Sequence, residues 1–258
     1  MLRFISLGSG SSGNASVVES SDGLHTSRRV VDCGVNHKQL DYRLARAGLC
    51  GADIDAIFVT HEHSDHIGSA QALARRQQIP LWMSPGSHAA IGNPELSGLL
   101  RLAGDTIGFE VGTLQVCPFT VPHDAREPLQ LRCSDGDRRL GILTDLGHAT
   151  DHVLESLRGC HAVLLECNHD AALLAASSYH PALKRRVGGP YGHLSNAAAG
   201  AIASALRHPG LGRLVAAHLS AQNNRPELAR QALAEALECE DADIIVADQH
   251  AGTAWITV

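Results

Sequence analysis

The residues best able to do chemistry lie in one short run, Thr60-His61-Glu62-His63-Ser64-Asp65-His66. Three imidazoles and a carboxylate so close together form a donor set suited to Zn²⁺, and Mn²⁺ or Fe accept the same ligands. A chance H-x-H-x-D-H pattern in a chain of this composition is expected only a few times in roughly a thousand. The run follows the apolar segment Ala56–Val59, so His61 and His63, two apart at a strand end, project the same way. Asp65 and His66 then fall at the turn into a helix, where Gly68 lets the backbone pass closely.

A metal pair needs further ligands, and three later segments share the same strand-end grammar. His123-Asp124 follows Val116–Thr120, Asp145 follows Leu140–Leu143, and His218 follows Leu214–Ala217. In open α/β sheets, ligand sites collect at the carboxyl ends of strands, so all three are expected at one edge. Two more segments have the makings of acid–base machinery. One is Glu166-Cys167-Asn168-His169-Asp170 at the end of an apolar strand; the other is Gly192-His193-Leu194-Ser195-Asn196 ahead of a helix. A carboxylate orienting a proton-donating imidazole is the usual construction for leaving-group protonation. The plainer alternative is helix capping by Ser195 and Asn196. The run Lys184-Arg185-Arg186 reads either as a solvated face or as a patch that holds phosphates.

These residues need elements to position them, and short apolar runs alternate with helical patterns throughout. Strands are expected at Phe4–Leu7, Arg29–Asp32, Ala56–Thr60, Leu81–Met83, Leu114–Thr120, Leu140–Thr144, Ala162–Glu166, Leu214–Ala217, Ile244–Ala247 and Ala254–Val258. Helices are expected at Lys38–Ala47, Ile67–Arg76, Asp151–Arg158, Asn196–Arg207 and Pro226–Leu237, with Ser195 as a cap and Pro226 in a first turn. Gly8–Gly13 lies between strand-like segments and reads as a tight β-loop. No repeat or composition shift divides the chain, which reads as one domain over 1–258.

Composition narrows the function classes. Net charge is −6 and aromatics are 3% of 258 residues, which argues against a general nucleic-acid coat protein but not against a nuclease. Metal ions would supply positive charge where a phosphate needs it. The seven cysteines are scattered without a C-x-x-C pair, so neither a disulfide framework nor a zinc knuckle is indicated. The apolar N-terminal run is too short for a signal peptide and no stretch spans a bilayer; a soluble, cytoplasmic protein without a membrane partner is expected.

Together these motifs resemble the metallo-β-lactamase superfamily over nearly the whole chain. The resemblance implies an α/β fold, an αββα sandwich of two mixed β-sheets flanked by helices. It implies that His61, His63 and His123 hold one metal, that Asp65, His66 and His218 hold a second, and that Asp145 bridges them. An aspartate rather than a cysteine at 145 points away from antibiotic hydrolysis. The segments around Gly8–Asn14, Asp32-Cys33-Gly34, Glu166–Asp170, Gly192–Asn196 and His218–Asn224 resemble the YycJ/WalJ-type branch, DNA exonucleases acting from 5′ ends and related to the tRNase Z and RNase J nucleases. Cys167 stands where that branch carries serine, and the extra domain of RNase J-like enzymes is missing.

By that similarity His193 is the expected proton donor, Glu166 its orienting partner, and Asp65 a third catalytic residue. Asn14, Arg186 and Asn223 are candidate phosphate contacts. The resulting expectation is a two-metal phosphodiesterase, zinc- or manganese-dependent, using a metal-bridging hydroxide on a nucleic acid, DNA by resemblance. The alternatives are a small-molecule phosphodiesterase, thioesterase or lactonase of the same fold, and a di-iron redox protein.

Overall fold

The computed structural model describes residues 1–258. Two seven-stranded mixed sheets lie face to face. The first contains β1 (Leu2–Gly8), β2 (Ala15–Ser21), β3 (Thr26–Val31), β4 (Ala56–Phe58), β5 (Leu81–Met83) and β6 (Leu100–Leu102). The second contains β7 (Phe109–Val111), β8 (Leu114–Thr120), β9 (Leu129–Ser134), β10 (Arg139–Leu143), β11 (Ala162–Glu166), β12 (Arg213–Ala217) and β13 (Ile245–Val246). The last strand, β14 (Ile256–Thr257), returns to the first sheet beside β1. Helices α1 (His37–Arg46), α2 (Ser64–Ile67), α3 (Ala70–Gln77) and α4 (Pro85–Ala90) belong to the first half. The second half carries α5 (Asp151–Leu157), α6 (Ala171–Ala176), α7 (Pro181–Val187), α8 (Asn196–Leu206) and α9 (Pro226–Leu237).

Period-2 alternation divides each strand between two apolar layers. Leu2 and Phe4 of β1 meet Leu140 and Ile142 of β10 in the layer between the sheets. Ile5 and Leu7 turn the other way, to Leu40 and Leu44 of α1 and Leu73 of α3. On the far side Val163 and Leu165 of β11 pack with Ile202 of α8 and Leu233 of α9. Three apolar layers between four layers of structure make the expected αββα sandwich. Strands β11 and β12 are buried on both faces, which is why they read as continuous apolar runs without alternation.

Strand direction decides where the chemistry goes. β3, β4, β5 and β6 are parallel, as are β10, β11, β12 and β13. β8 is antiparallel to β9, which is antiparallel to β10, so β8 and β10 run the same way. The carboxyl ends of β8, β10, β11 and β12 therefore share one edge of the second sheet, and β3 and β4 end together on the first. Two contacts join those edges: Leu129 N donates to Thr60 O at 2.9 Å, and His218 N donates to Ser9 Oγ at 2.8 Å.

The structure departs from the sequence expectations in short or polar elements. β2 (Ala15–Ser21) and β9 (Leu129–Ser134) carry serines, glutamate, glutamine and arginine and were not expected as strands; pairing with neighbours on both sides makes them so. The expected helix Ile67–Arg76 is two helices, broken at Gly68, whose φ is 26°. Edge strands β6 and β7 and helices α4, α6 and α7 are too short to leave a periodic signal. No helix is long and apolar enough to cross a membrane.

One close approach ties the fold to the histidine-rich loop. A Cβ on Gly34, just after β3, would lie 1.6 Å from the carbonyl oxygen of Asp65. The same two loops exchange Cys33 N to His66 O at 2.7 Å and Ser69 N to Cys33 O at 2.8 Å, and Asn14 N, from the loop before β2, donates to Asp65 O at 2.8 Å. Gly34→Ala must displace the loop that carries Asp65 and His66. It is expected to weaken divalent-metal binding by about tenfold or more in a chelator competition while the far-ultraviolet circular dichroism stays native.

Candidate metal centre

Each candidate donor sits at the end of a strand or in the turn after it. His61 and His63 follow β4, and Asp65 and His66 lie in α2, the single turn that His63 begins. His123 follows β8, Asp145 follows β10, Glu166 closes β11 and His218 follows β12. The structure brings them together in four overlapping groups whose donor atoms lie within 4.8 Å of one another: His61–His63–His123, His61–His66–Asp145, Asp65–His66–His218, and Asp145–Glu166–His193–His218.

The ring nitrogens are divided between an outer partner and the centre of the cluster. His66 Nδ1 donates to Asp32 Oδ2 at 2.8 Å, His123 Nδ1 to Gly192 O at 3.1 Å, and His218 Nδ1 to Glu166 Oε1 at 3.1 Å. His61 Nδ1 lies 3.0 Å from Thr60 Oγ1, which itself donates to Asp32. The other nitrogens face inward. His61 Nε2, His218 Nε2 and Asp145 Oδ2 are buried with no hydrogen-bond partner. His66 Nε2 does lie 3.0 Å from Asp145 Oδ2, yet that contact lacks hydrogen-bond geometry. Buried polar atoms without partners cost about 1–3 kcal/mol each, so a set of them converging on one point fits a cation. Imidazole fixed through its second nitrogen is the usual form of a metal-binding histidine.

Charge within the cluster points the same way. Burial alone would depress His218, yet Asp145, Asp65 and Glu166 hold it up at about 10. His66 is likewise opposed by burial and raised by Asp145 and Asp32. Burial would lift the Asp145 carboxyl, but His218 and His66 keep it well below the usual range. At His61 burial and the neighbouring His66 outweigh the pull of Asp145, and its pKa lies well below that of ordinary histidine. No cysteine joins the four donor groups, and burial pushes the Cys33 and Cys167 thiols far up.

His193 and Glu166 form a pair at one side of the cluster. His193 Nδ1 donates to Glu166 Oε1 at 2.7 Å, and its side chain keeps 23% of its surface exposed. Burial opposes protonation of His193, but Glu166 and Asp145 raise it. His63 and Asp65 keep 29% and 26% exposed. The cluster thus has a buried floor of His61, His66, Asp145 and His218 beneath an accessible rim.

The substrate-contact expectations need correction. Asn14 is buried: its Oδ1 accepts from Gly10 N and Ser9 Oγ, and its Nδ2 donates to Asp65 O and lies 3.1 Å from His66 Nε2, so it braces the loops and one donor histidine. Asn223 is 1% exposed, and its Nδ2 donates to Ser220 Oγ. Arg186 alone of the three is exposed, and its Nε donates to Asp124 Oδ2 at 2.6 Å. Asp124 Oδ1 in turn lies 3.4 Å from His123 Nε2. Sequence reasoning assigned no role to Asp32 or Thr60. Asp32 directly follows β3, and its φ is 60°.

Known proteins match this geometry. The family model described as the Metallo-beta-lactamase superfamily matches residues 8–218. The chain is 34% identical over 247 residues to "Exodeoxyribonuclease YycJ" of Bacillus anthracis, covering 92% of this chain and 89% of that one. It is 32% identical over 249 residues to "Exodeoxyribonuclease WalJ" of Streptococcus pneumoniae, covering 94% and 90%. Among solved structures, the metallo-beta-lactamase fold protein YhfI of Bacillus subtilis superposes with a TM-score of 0.74 at 16% identity over 100% of both chains, a likeness of fold.

Two outcomes follow for the metal-free protein. His66 and His218 are protonated near neutral pH, so an incoming divalent ion must expel protons. Apparent affinity should rise with pH, by about tenfold per unit for each proton displaced, and level off only above about 10, where His218 deprotonates without help. Titration calorimetry with Zn²⁺ in buffers of different ionisation enthalpy counts the released protons directly. Asp32→Asn keeps the shape but loses the charge behind His66, and should weaken metal affinity by about 10–100-fold.

Proposed function

The chain belongs to the metallo-β-lactamase superfamily, in the branch of the YycJ and WalJ exodeoxyribonucleases, and we propose that it is a two-metal nuclease that removes nucleotides from DNA ends. It is a metal-dependent hydrolase; the polymer, the number of ions and the direction of digestion are the proposal. The observation that carries it is the Glu166–His193 pair, a buried carboxylate 2.7 Å from a partly exposed imidazole at the rim of the donor cluster. Phosphodiester hydrolysis has a poor leaving group, an alkoxide, that needs a proton as it departs. We take residues 1–258 as one domain, since both sheets share the layer between them.

His61, His63 and His123 would hold one ion, and Asp65, His66 and His218 the second, with Asp145 between them. Divalent ions there, Zn²⁺ or Mn²⁺ by donor chemistry, would polarise the phosphate and bring the pKa of water toward about 7. The chain itself supplies orientation. Asp32, Thr60 and Gly192 hold the imidazoles in place, so little reorganisation is needed when charge develops. Glu166 accepts the Nδ1 proton of His193, which leaves Nε2 as the atom that gives a proton to the departing oxygen. Arg186, exposed and adjacent to Asp124, is the remaining candidate for a flanking phosphate. A nucleic-acid substrate fits the accessible rim of His63, Asp65 and His193.

The test is digestion of 5′- and 3′-labelled single- and double-stranded DNA and RNA with Mn²⁺, Zn²⁺ or Mg²⁺. His63→Ala and Asp145→Ala should abolish cleavage; unchanged cleavage by the Asp145 variant would sink the assignment. His193→Ala should retain its metal by elemental analysis yet slow turnover by about 10²–10⁴-fold.

A further inference from the structure

Next to the candidate centre lies a surface of which the hydrolytic scheme uses only Arg186. Helix α7 buries none of its seven residues and ends in Lys184, Arg185 and Arg186. The segment after it, Gly188–Gly192, leads directly into His193 and carries Tyr191, which leaves 60% of its surface in solvent. In a chain with only nine Phe, Tyr and Trp residues (4, 3 and 2), an aromatic left exposed at this place is conspicuous.

The backbone around Tyr191 is held firmly although its side chain is free. His193 N donates to Val187 O at 2.8 Å, Gly192 N to Gly189 O at 3.0 Å, and Asp124 N to Tyr191 O at 3.0 Å. His148 Nδ1 donates to Pro190 O at 2.8 Å, and Gly192 O accepts from His123 Nδ1. A Cβ on Gly147 would lie 2.6 Å from Tyr191 N, so that strand-end loop packs directly beneath. Tyr191 is thus fixed through its main chain to a donor histidine on one side and to Asp124 on the other. Loops pinned this way present a side chain at low entropic cost, as a preorganised contact does.

Resting on the nuclease reading above, we propose that Tyr191 is a stacking platform for the nucleobase at the end of a DNA strand, with Arg185 and Arg186 of α7 beside it for the phosphates. An aromatic face stacks on any base, so the contact positions the strand end without reading sequence. Arginines at the same rim add charge where the backbone runs, and Arg185 makes no ion pair in the fold. Stacking would place the terminal phosphodiester over the donor cluster rather than an internal one.

The experiment uses a single-stranded oligodeoxynucleotide and two matched forms with an abasic site at the 5′ or at the 3′ terminal nucleotide, each digested by the metal-loaded protein. Tyr191→Ala should raise KM for the intact strand by roughly 5–150-fold with little change in kcat, and Tyr191→Phe should restore it. The abasic form at the recognised end should cost the wild type a similar factor and cost Tyr191→Ala nothing more. A 2-aminopurine at that end should be quenched on binding by wild type and Tyr191→Phe, but not by Tyr191→Ala. If wild type degrades the strand and the Ala variant keeps its KM, or if the two losses simply multiply, the platform is wrong and the nuclease reading stands. If wild type degrades neither DNA form, the nuclease reading itself fails, and the platform with it.

Discussion

The rest of the structure depends on one buried carboxylate, Asp145, and on what surrounds it. Its Oδ1 lies 3.1 Å from His218 Nδ1, its Oδ2 lies 3.0 Å from His66 Nε2, and the latter oxygen accepts no hydrogen bond. His218 belongs to the same sheet as Asp145, whereas His66 comes from the other. The carboxylate therefore sits at the seam where two sheets meet. Removing it would leave His66 and His218 with Asp32 and Glu166 as their nearest remaining carboxylates in a desolvated space, a costly loss. The seam is reinforced by Thr60 with Leu129 and Ser9 with His218. A small sliding of one sheet over the other would separate the donors, and the shared apolar layer resists that sliding because packed cores deform little.

Backbone strain gathers at the same place. Asp32, Asp145 and His218 all adopt left-handed φ angles, 60°, 57° and 54°, in the residues just after β3, β10 and β12. For residues other than glycine such conformations cost about 1–3 kcal/mol each and persist only where surrounding structure imposes them. Here the imposing structure is the buried strand on one side and a pinned loop on the other. The turn sends each side chain back over the sheet edge rather than along the strand. Strand ends are thereby converted into inward-facing donors, and the strain is offset by the three apolar layers.

The second tier of contacts gives the donor cluster its chemical character. Asp32, Thr60, Gly192 and Glu166 each engage the outer nitrogen of a histidine, which sets the tautomer and the direction of the inner one. Glu166 does this twice, reaching both His218 and His193, so one buried carboxylate links the floor of the cluster to its exposed rim. A change at Glu166 would be felt in donor geometry and at the rim together. The accessible side of the cluster carries His63, Asp65 and His193, with the exposed α7 segment leading into His193.

The chain's local order carried much of this. His61, His63, Asp65 and His66 are neighbours in sequence, so residue type and strand-end spacing sufficed to propose a metal site, and the apolar runs before His123, Asp145, Glu166 and His218 announced strands. Long elements with clear periodicity, such as Pro226–Leu237 and Leu114–Thr120, were legible to the residue. Short or polar elements were not: β2 and β9 are strands because of their neighbours, and their own residues barely favour it. Asn14 and Asn223 show the same limit at the site, since polar residues in glycine- and serine-rich loops look available until packing buries them. Asp32 and Tyr191 mark the opposite error: one is drawn behind His66 from 34 residues away, the other is left in solvent beside a donor, and no local pattern distinguishes either. Sequence alone determined which donors exist and which strands end with them. Only the tertiary structure decided which donors meet, which are braced and which stay accessible, because those properties arise from two sheets aligning their carboxyl edges across one shared core.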